Sequence, residues 1–272
     1  MTRTRIAKLF ERLRHENRPA LIAYVTSGDP TPEHTAGIVA ALERGGADLI
    51  ELGVPFSDPV ADGPVIQRGA ERALHAGTSV KRVLDIAREI RGTSEIPLLL
   101  FSYLNPLMRY GFDKLAADAK ASGIDGCLLT DLSVEEAGPF IAPLHEQGLD
   151  TVFLAAPTSP AERLQKVAEY SSGFVYLVSR TGVTGERDSL SDTASTLVAS
   201  MRKITDLPLA LGFGISTAEQ AEQVAGFADG VVVGSAFVRL VEKFGNDAAL
   251  LPALEAFTRE LKDGCERGRM AK

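Results

Sequence analysis

Buried strands alternate with amphipathic helices along the whole of this 272-residue chain. Apolar runs of strand length are each followed by Gly, Pro, Asp, Ser or Thr, and charged stretches with helical periodicity separate them. Strict alternation of this kind predicts a parallel sheet, and eight repeats fit a (β/α)₈ TIM barrel of the α/β class better than an open sheet. The eight predicted strands begin at Ala20, Ala47, Pro97, Gly126, Asp150, Gly173, Leu207 and Ala228.

The two ends of the chain carry additional helical patterns. Residues Arg3–Arg14 place Ile6, Leu9, Phe10 and Leu13 on one stripe, which predicts an extra N-terminal helix that caps the barrel bottom. A second pattern over Asp247–Arg267 predicts the helix that closes the outer ring. Because no linker divides the chain, residues 1–272 are expected to form a single TIM-barrel domain.

The amino-acid composition limits which partners the protein can bind and where in the cell it is expected. The formal net charge of -7 leaves no basic footprint for nucleic acid or an anionic membrane surface. The chain has two distant cysteines, Cys127 and Cys265, and no apolar segment of signal-peptide or membrane-spanning length. We therefore expect a reducing, cytoplasmic location without membrane binding.

Two connections are longer than the others, and both follow predicted strands. They are Gly53–Pro64, which is rich in proline, and Ser179–Asp192, whose Gly, Ser and charged residues are typical of a mobile lid. In a barrel these connections lie at the carboxyl ends of the strands, where catalytic residues collect. Long loops at that face favour function.

The ionisable residues at the predicted strand ends are few, and they favour acid–base chemistry by carboxylates. They are Glu51, Asp58, Asp62, Tyr103, Asp131 and Arg180. The four histidines fall in helical or bottom-side stretches and no lysine lies at a strand end, so neither a metal site nor a Schiff-base lysine is expected. Asp131 is interpreted as an orienting or capping residue.

Glu51 interrupts an apolar strand at a position that alternation groups with Leu49 and Gly53. If this face is the barrel interior, burial raises the pKa of the carboxyl group, and such a group can both give and take a proton near neutral pH. The alternative is a structural glutamate that faces a helix and pairs with a cation. Asp58 and Asp62 lie in the loop stiffened by Pro55, Pro59 and Pro64, where they either take part in catalysis or make local turn hydrogen bonds.

Glycine-bearing ends follow the last strands. They are TGVTG (Thr181–Gly185), GFGIS (Gly212–Ser216) and VGSA (Val233–Ala236). Glycine permits close backbone approach, and N–H groups at a following helix start favour an anion, so a phosphate group is expected there. The alternative is a set of ordinary tight turns. The residues alone thus predict a phosphorylated substrate handled by two carboxylates.

The motif ELGVPFSDPVADGP (Glu51–Pro64) resembles the signature of the tryptophan synthase α subunit family. The resemblance extends in order through VTSGDP, FSYLNP, TDLSVEE, SRTGVTGER, GFGIS and GSA, and so covers nearly the whole chain. It implies a (β/α)₈ barrel that cleaves indole-3-glycerol phosphate to indole and D-glyceraldehyde 3-phosphate. Indole would pass to a partner β subunit that carries PLP, with no cofactor in this chain and an α₂β₂ heterotetramer as the assembly.

The resemblance also implies roles for individual residues. Glu51 matches the family's acid–base carboxylate, and Asp62 matches the carboxylate that faces the indole nitrogen. Gly185, Gly214, Gly234 and Ser235 would hold the phosphate, Thr184 would close over the substrate toward Asp62, and Tyr24, Tyr103, Tyr176 and Phe213 would line the indole pocket. Pro55 and Asp58 would contact the β subunit. Tyr24 departs from the Phe expected there, and Ala70 replaces a polar residue of some relatives.

Three other functions remain open on the sequence. A stand-alone indole-3-glycerol phosphate lyase would share every catalytic residue and lack only the partner. A different phosphosugar barrel, such as a ribose-phosphate isomerase, would need an Asp near the first strand, where this chain has Tyr24 and Thr26. A barrel retained only as a binding or activating subunit would leave Glu51 with a structural role.

Overall fold

The computed structural model describes residues 3–178, 187–212 and 214–270, with residues 187–192 described by backbone alone. Within these ranges the chain forms parallel strands wrapped by helices, as the alternation predicts. The strands are β1 Ala20–Thr26, β2 Leu49–Gly53, β3 Leu98–Ser102, β4 Gly126–Leu129, β5 Asp150–Val152, β6 Leu154–Ala155, β7 Val175–Val178, β8 Leu209–Gly212 and β9 Gly230–Val233.

Helices follow the strands, and a helix forms at each end of the chain where the sequence pattern predicts one. The helices are α1 Arg5–His15, α2 Pro32–Gly45, α3 Pro64–His75, α4 Val80–Arg91, α5 Leu104–Tyr110, α6 Phe112–Ala121, α7 Gly138–Glu146, α8 Ala161–Tyr170, α9 Arg187–Arg202, α10 Ala218–Ala225, α11 Ser235–Phe244 and α12 Leu250–Met270. A 3-10 turn at Val134–Glu136 precedes α7. No helix in the described ranges has both the length and the apolar character that a bilayer-spanning segment requires.

The described strands number nine rather than the predicted eight because the fifth apolar run divides at Phe153. β5 pairs with β4, whereas β6 pairs with β7, so the hydrogen-bonded order is β5-β4-β3-β2-β1-β9-β8-β7-β6. These two end strands are consecutive in the chain and are connected through Phe153, whose carbonyl accepts from the Tyr176 N–H of β7 at 3.1 Å. The predicted barrel is therefore confirmed, with its seam inside one predicted strand.

Two apolar layers hold the barrel. Helix side chains pack against the outer face of the sheet, while alternate strand residues such as Ile22, Leu49, Leu99 and Val232 fill the interior. β1 is buried at all seven positions, as expected for a parallel strand covered on both faces.

Helix α1 closes the bottom of the barrel, as its apolar stripe predicts. Its buried residues Ile6, Leu9, Phe10 and Leu13 join the interior cluster, and the Phe10 and Phe174 ring centroids lie 5.6 Å apart. The helix begins after Thr4, whose hydroxyl accepts a hydrogen bond from the Ala7 N–H at 3.1 Å. With the bottom filled, the open end is the one formed by the carboxyl ends of the strands.

Candidate active site

A cavity of about 560 Å³ opens at the carboxyl ends of the strands. Among the residues proposed from the sequence, it is lined by Tyr24, Glu51, Asp62, Tyr176, Gly214, Gly234 and Ser235. The chain thus brings together residues that are more than 200 positions apart in sequence. Thr184, Gly185 and Phe213 lie outside the described residues.

Glu51 lies on the inner face of β2, in register with Tyr24 of β1 and Leu99 of β3. The residue is only 1% exposed, and its Oε1 atom has no hydrogen-bond partner in the described structure. Burial away from water raises the pKa of this carboxyl group to about 8. A neutral Glu51 can therefore hold a proton at physiological pH, and the expected pairing of a structural glutamate with a cation is not seen among the described residues.

Asp62 lies at the end of the loop between β2 and α3, on the rim of the same cavity. Burial raises its pKa to about 6, and a hydrogen bond from the Tyr103 phenol opposes that rise. Glu51 and Asp62 therefore have pKa values on either side of neutrality. Such a pair supplies one proton donor and one carboxylate at the same pH.

Tyr103 is buried but is not among the residues that line the cavity. Its hydroxyl accepts a hydrogen bond from the Ala61 N–H at 3.0 Å, and its ring lies 5.4 Å from that of Phe56. Tyr103 thus holds the loop that carries Asp62. The backbone around it is fixed in turn, because Asp131 accepts from the Leu104 N–H at 2.7 Å, the capping role predicted for Asp131.

Tyr24 and Tyr176 cross the inside of the barrel near Glu51. The Tyr24 hydroxyl lies 3.4 Å from Thr26 Oγ1, and its ring meets Phe101 edge-on at 5.1 Å. Gly53 makes room for this phenol, since a Cβ atom there would lie 2.3 Å from the Tyr24 hydroxyl. Burial raises the pKa of both tyrosines, so both phenols stay protonated and can act only as neutral groups.

The side of the cavity that follows β8 and β9 includes glycine backbone. Gly214 has a φ of 81° and Gly234 directly precedes α11, whose first residue is Ser235. Gly234 has no side chain to cap the helix, and its carbonyl accepts from the Phe237 N–H at 2.9 Å, so the N–H groups of Ser235 and Ala236 are the ones available to an anion. The described part of this side is a suitable cradle for a phosphate group.

A network of charges braces the two helices that begin at the cavity. Arg72 of α3 donates to both carboxylate oxygens of Asp29 at 2.8 Å, and to Glu242 of α11 at 3.2 Å. Arg68 of α3 binds Glu242 as well. Asp29 is 2% exposed, so the network anchors α3, which follows Asp62, against α11, which begins at Ser235.

The two residues for which a partner contact is expected, Pro55 and Asp58, differ in exposure. Pro55 is buried, whereas Asp58 is exposed and accepts a hydrogen bond from the Ser57 hydroxyl at 2.6 Å. Val60, in the same loop, is 83% exposed. No group of three or more His, Cys, Asp or Glu within the described ranges is arranged to hold a metal ion.

Sequence reasoning did not find several cavity residues. They are Ala61, Gly63, Pro64, Val65, Ile66, Phe101, Thr130, Leu154, Val178, Val232 and Arg239. The apolar strand residues could have been found by extending the alternation that located Glu51, because they occupy inward positions near strand ends. Arg239 comes one helical turn after Ser235, inside α11, so a reading limited to ionisable residues at strand ends does not include it.

Comparison with known sequences points to one family. The family model described as tryptophan synthase alpha chain matches residues 10–266. The chain is 66% identical to the tryptophan synthase alpha chain of Solibacter usitatus, over 96% of this chain and 98% of that protein. It is 47% identical to the Methanosarcina mazei protein of the same name, over 97% and 95% respectively.

Solved structures show the same likeness. The structure of tryptophan synthase subunit alpha from Legionella pneumophila superposes with a TM-score of 0.90 at 38% identity, covering 97% of this chain and 99% of that one. A chain from the structure of Mycobacterium tuberculosis tryptophan synthase gives a TM-score of 0.88 at 39% identity, with coverage of 97% and 99%.

Proposed function

The chain belongs to the tryptophan synthase alpha chain family, and on that premise we propose that it cleaves indole-3-glycerol phosphate to indole and D-glyceraldehyde 3-phosphate. The observation that carries the proposal is a fully buried carboxylic acid, Glu51, that shares one cavity with Asp62 and a glycine-lined helix start. This carbon–carbon lyase reaction needs a proton donor, a negative charge and an anion site, and the cavity offers all three.

Glu51 acts as the acid and then as the base. It gives a proton to indole C3, which places positive charge on the ring nitrogen. The glycerol hydroxyl then returns a proton to Glu51 as its C–O bond becomes the aldehyde. The C3–C bond breaks, and its electron pair returns to the ring to give neutral indole. Because Glu51 starts and finishes protonated, no external acid or base is consumed.

Asp62 is ionised and faces the ring nitrogen. The positive charge that develops there is stabilised most strongly in a water-poor cavity, where a fixed carboxylate does not have to reorganise during the reaction. Thr184 contacts Asp62 when the lid covers the substrate. Tyr103 contributes to the indole pocket by holding the loop around Asp62, and Tyr24, Tyr176 and Phe213 contact the ring.

The phosphate group binds at Gly214, Gly234 and Ser235, with Gly185 completing the site. The N–H groups at the start of α11 and the helix dipole favour the dianion. Binding there fixes the glycerol chain so that the scissile bond reaches Glu51. Energy from the phosphate contacts thereby contributes to alignment at the reacting carbon.

Indole passes to a tryptophan synthase β subunit for tryptophan biosynthesis. The loop containing Pro55 and Asp58 contributes to the α–β contact in an α₂β₂ heterotetramer, with Asp58 facing outward and Pro55 supporting the loop from beneath. PLP belongs to the β subunit, and this chain uses neither a cofactor nor a metal ion of its own. Free Cys127 and Cys265 suit a reducing cytoplasm.

Aldehyde production from indole-3-glycerol phosphate tests the reaction and its residues. We expect Glu51→Gln to lower turnover by about 10²-fold or more, because an amide cannot transfer the proton. Asp62→Asn should also lower turnover, since the ring charge loses its partner. Glu89→Gln, at an exposed position of α4, makes the same chemical change outside the cavity and should leave turnover unchanged. Wild-type turnover in Glu51→Gln would refute the mechanism.

Mixing with a β subunit separates the synthase from a stand-alone lyase. For the synthase we expect co-purification with the β subunit and a large rise in lyase turnover on mixing. Unchanged turnover and no complex would indicate a free lyase. A protein that binds the β subunit but makes no aldehyde would instead be a binding or activating subunit.

A further inference from the structure

The charges that line the cavity are unbalanced in the presence of the proposed substrate. Among the described lining residues, the ionisable acids are Glu51 and Asp62, and the cation is Arg239. With Glu51 protonated, Asp62 supplies one negative charge, and a phosphomonoester brings close to two more into the same space. A cation within reach of the phosphate would reduce the repulsion between these groups.

The position of Arg239 on α11 directs it toward the phosphate cradle. It lies four residues after Ser235, so both residues occupy the same face of the helix. Long side chains on a helix lean toward its N-terminus, which takes the guanidinium of Arg239 back toward Ser235 and Gly234. The cavity lining includes all three residues.

Arg239 is also free of the charge network beside it. Both arginines of α3 form ion pairs. Arg72 pairs with Asp29 and Glu242, and Arg68 pairs with Glu242. Arg239 is exposed and makes no ion pair with an acidic residue in the described ranges. Among these three arginines, the one that lines the cavity is therefore the one that remains available to an incoming anion.

We propose that Arg239 is a substrate-binding residue that recognises the phosphate group and makes the cavity selective for phosphorylated substrates. This inference rests on the proposed function, because it assigns Arg239 to the phosphate end of that substrate. The N–H groups of α11 bind the oxygens from one side, and the guanidinium supplies the charge and directed donors from the other. Arg239 touches no reacting atom, so its contribution is to binding.

Steady-state kinetics of Arg239→Gln test the assignment. We expect the KM for indole-3-glycerol phosphate to rise about tenfold or more, the scale of one lost hydrogen bond to a charged group, with kcat nearly unchanged. Arg239→Lys should recover part of the loss, because it restores the charge without the planar fork. Lys243→Gln is the matched control: it removes one positive charge from the same helix, outside the cavity, and should leave KM unchanged.

Binding of inorganic phosphate, measured by calorimetry, gives a second readout that does not depend on turnover. Arg239→Gln should bind phosphate about tenfold more weakly and with a shallower dependence on salt, while the affinity for indole stays the same. Wild-type KM and phosphate affinity in Arg239→Gln, or equal losses in Lys243→Gln, would overturn the assignment. So would a fall in kcat at unchanged KM. An inactive wild-type protein would instead refute the proposed function, and the phosphate titrations would still decide the role of Arg239.

Discussion

Glu51 is a carboxyl group placed where water cannot solvate it. Its neighbours across the sheet are Tyr24 and Leu99, and its Oε1 atom contacts no donor in the described structure. Ionising such a group costs free energy, which is why its pKa rises to about 8. The same burial that makes Glu51 a useful acid therefore lowers the stability of the folded chain as pH rises from about 4.5 to about 8.

The pH dependence of activity should show both carboxyl groups. Asp62 must be ionised and Glu51 protonated, and burial raises their pKa values to about 6 and about 8. We expect kcat/KM to form a bell with limbs near these values. The Asp62→Asn variant should be much less active, and its kcat/KM should no longer fall on the acidic side of the pH profile. A flat profile between pH 5 and 9 would contradict the assignment.

The stability of the wild type relative to Glu51→Gln should fall as pH rises. The ordinary pKa of 4.5 applies to the unfolded chain and about 8 to the folded one, so between these values the folded chain holds a proton that the unfolded chain has lost. The stability contributed by Glu51 is complete below about pH 4.5 and is lost as pH rises through about 8, at roughly 1.4 kcal/mol per pH unit in between.

Glu51→Gln carries no such penalty. The difference between its free energy of unfolding and that of the wild type, measured by urea titration, should shift in favour of Glu51→Gln as pH rises from 5 to 9. Glu89→Gln serves as the control and should follow the wild type. A Glu51→Gln difference that stays constant across this range would show that the carboxyl group titrates normally in the folded protein.

At the scale of elements, the helix layer around the barrel depends on close contact between neighbouring helices. α12 lies across α10, and two of its glycines touch the α10 backbone. A Cβ atom would lie 2.3 Å from the Ala218 carbonyl oxygen at Gly264, and 2.1 Å from the Glu222 carbonyl oxygen at Gly268. These glycines are required by contact, and a helix pattern alone does not reveal them.

The Gly264→Ala substitution tests whether close packing or helix propensity dominates the free energy of unfolding at this position. Alanine favours a helix interior by about 1 kcal/mol over glycine, but the added methyl group clashes with backbone that cannot move away locally. We expect a net loss of about 1–3 kcal/mol in the free energy of unfolding, measured in urea. Gly138→Ala, at the first residue of α7 where the added methyl meets nothing within 4 Å, should be neutral or slightly stabilising. Stabilisation by both changes would contradict the close contact.

The whole molecule is organised by closure of the sheet. Strands from the beginning and end of the chain, β1 and β9, are neighbours, and α12 packs against both α2 and α10. The sheet and its helix layer therefore need elements from both halves of the sequence. We propose on this ground that residues 1–272 form a single domain.

Helix α1, which plugs the bottom of the barrel, should contribute to stability without contributing to catalysis. Phe10 is 5% exposed and packs on Phe174 at the end opposite the cavity. We expect Phe10→Ala to cost about 3 kcal/mol in unfolding free energy, while turnover per folded molecule is unchanged. Arg12→Ala, on the exposed face of α1, should change stability by no more than about 0.5 kcal/mol. A loss of turnover in folded Phe10→Ala would mean that the two ends of the barrel are coupled.

The pattern of residues determined the architecture. Periodicity predicted the alternation of strands and helices, and the helical pattern over Asp247–Arg267 corresponds to α12, which spans Leu250–Met270. The α1 stripe predicted the plug, and Glu51 was recognised because a carboxylate within an apolar strand is costly unless it has a task. These properties are local, so the sequence displays them directly.

Tertiary structure decided what depends on distances between separate elements. The break at Phe153 arises because one strand must pair with β4 at its start and β7 at its end. The place of Tyr103 behind the Asp62 loop and the entry of Arg239 into the cavity depend on where side chains extend in space. The two raised carboxyl pKa values follow from burial, which only the packed chain creates. Sequence order specifies which groups exist, and closure of the barrel sets how near they are to one another and to water.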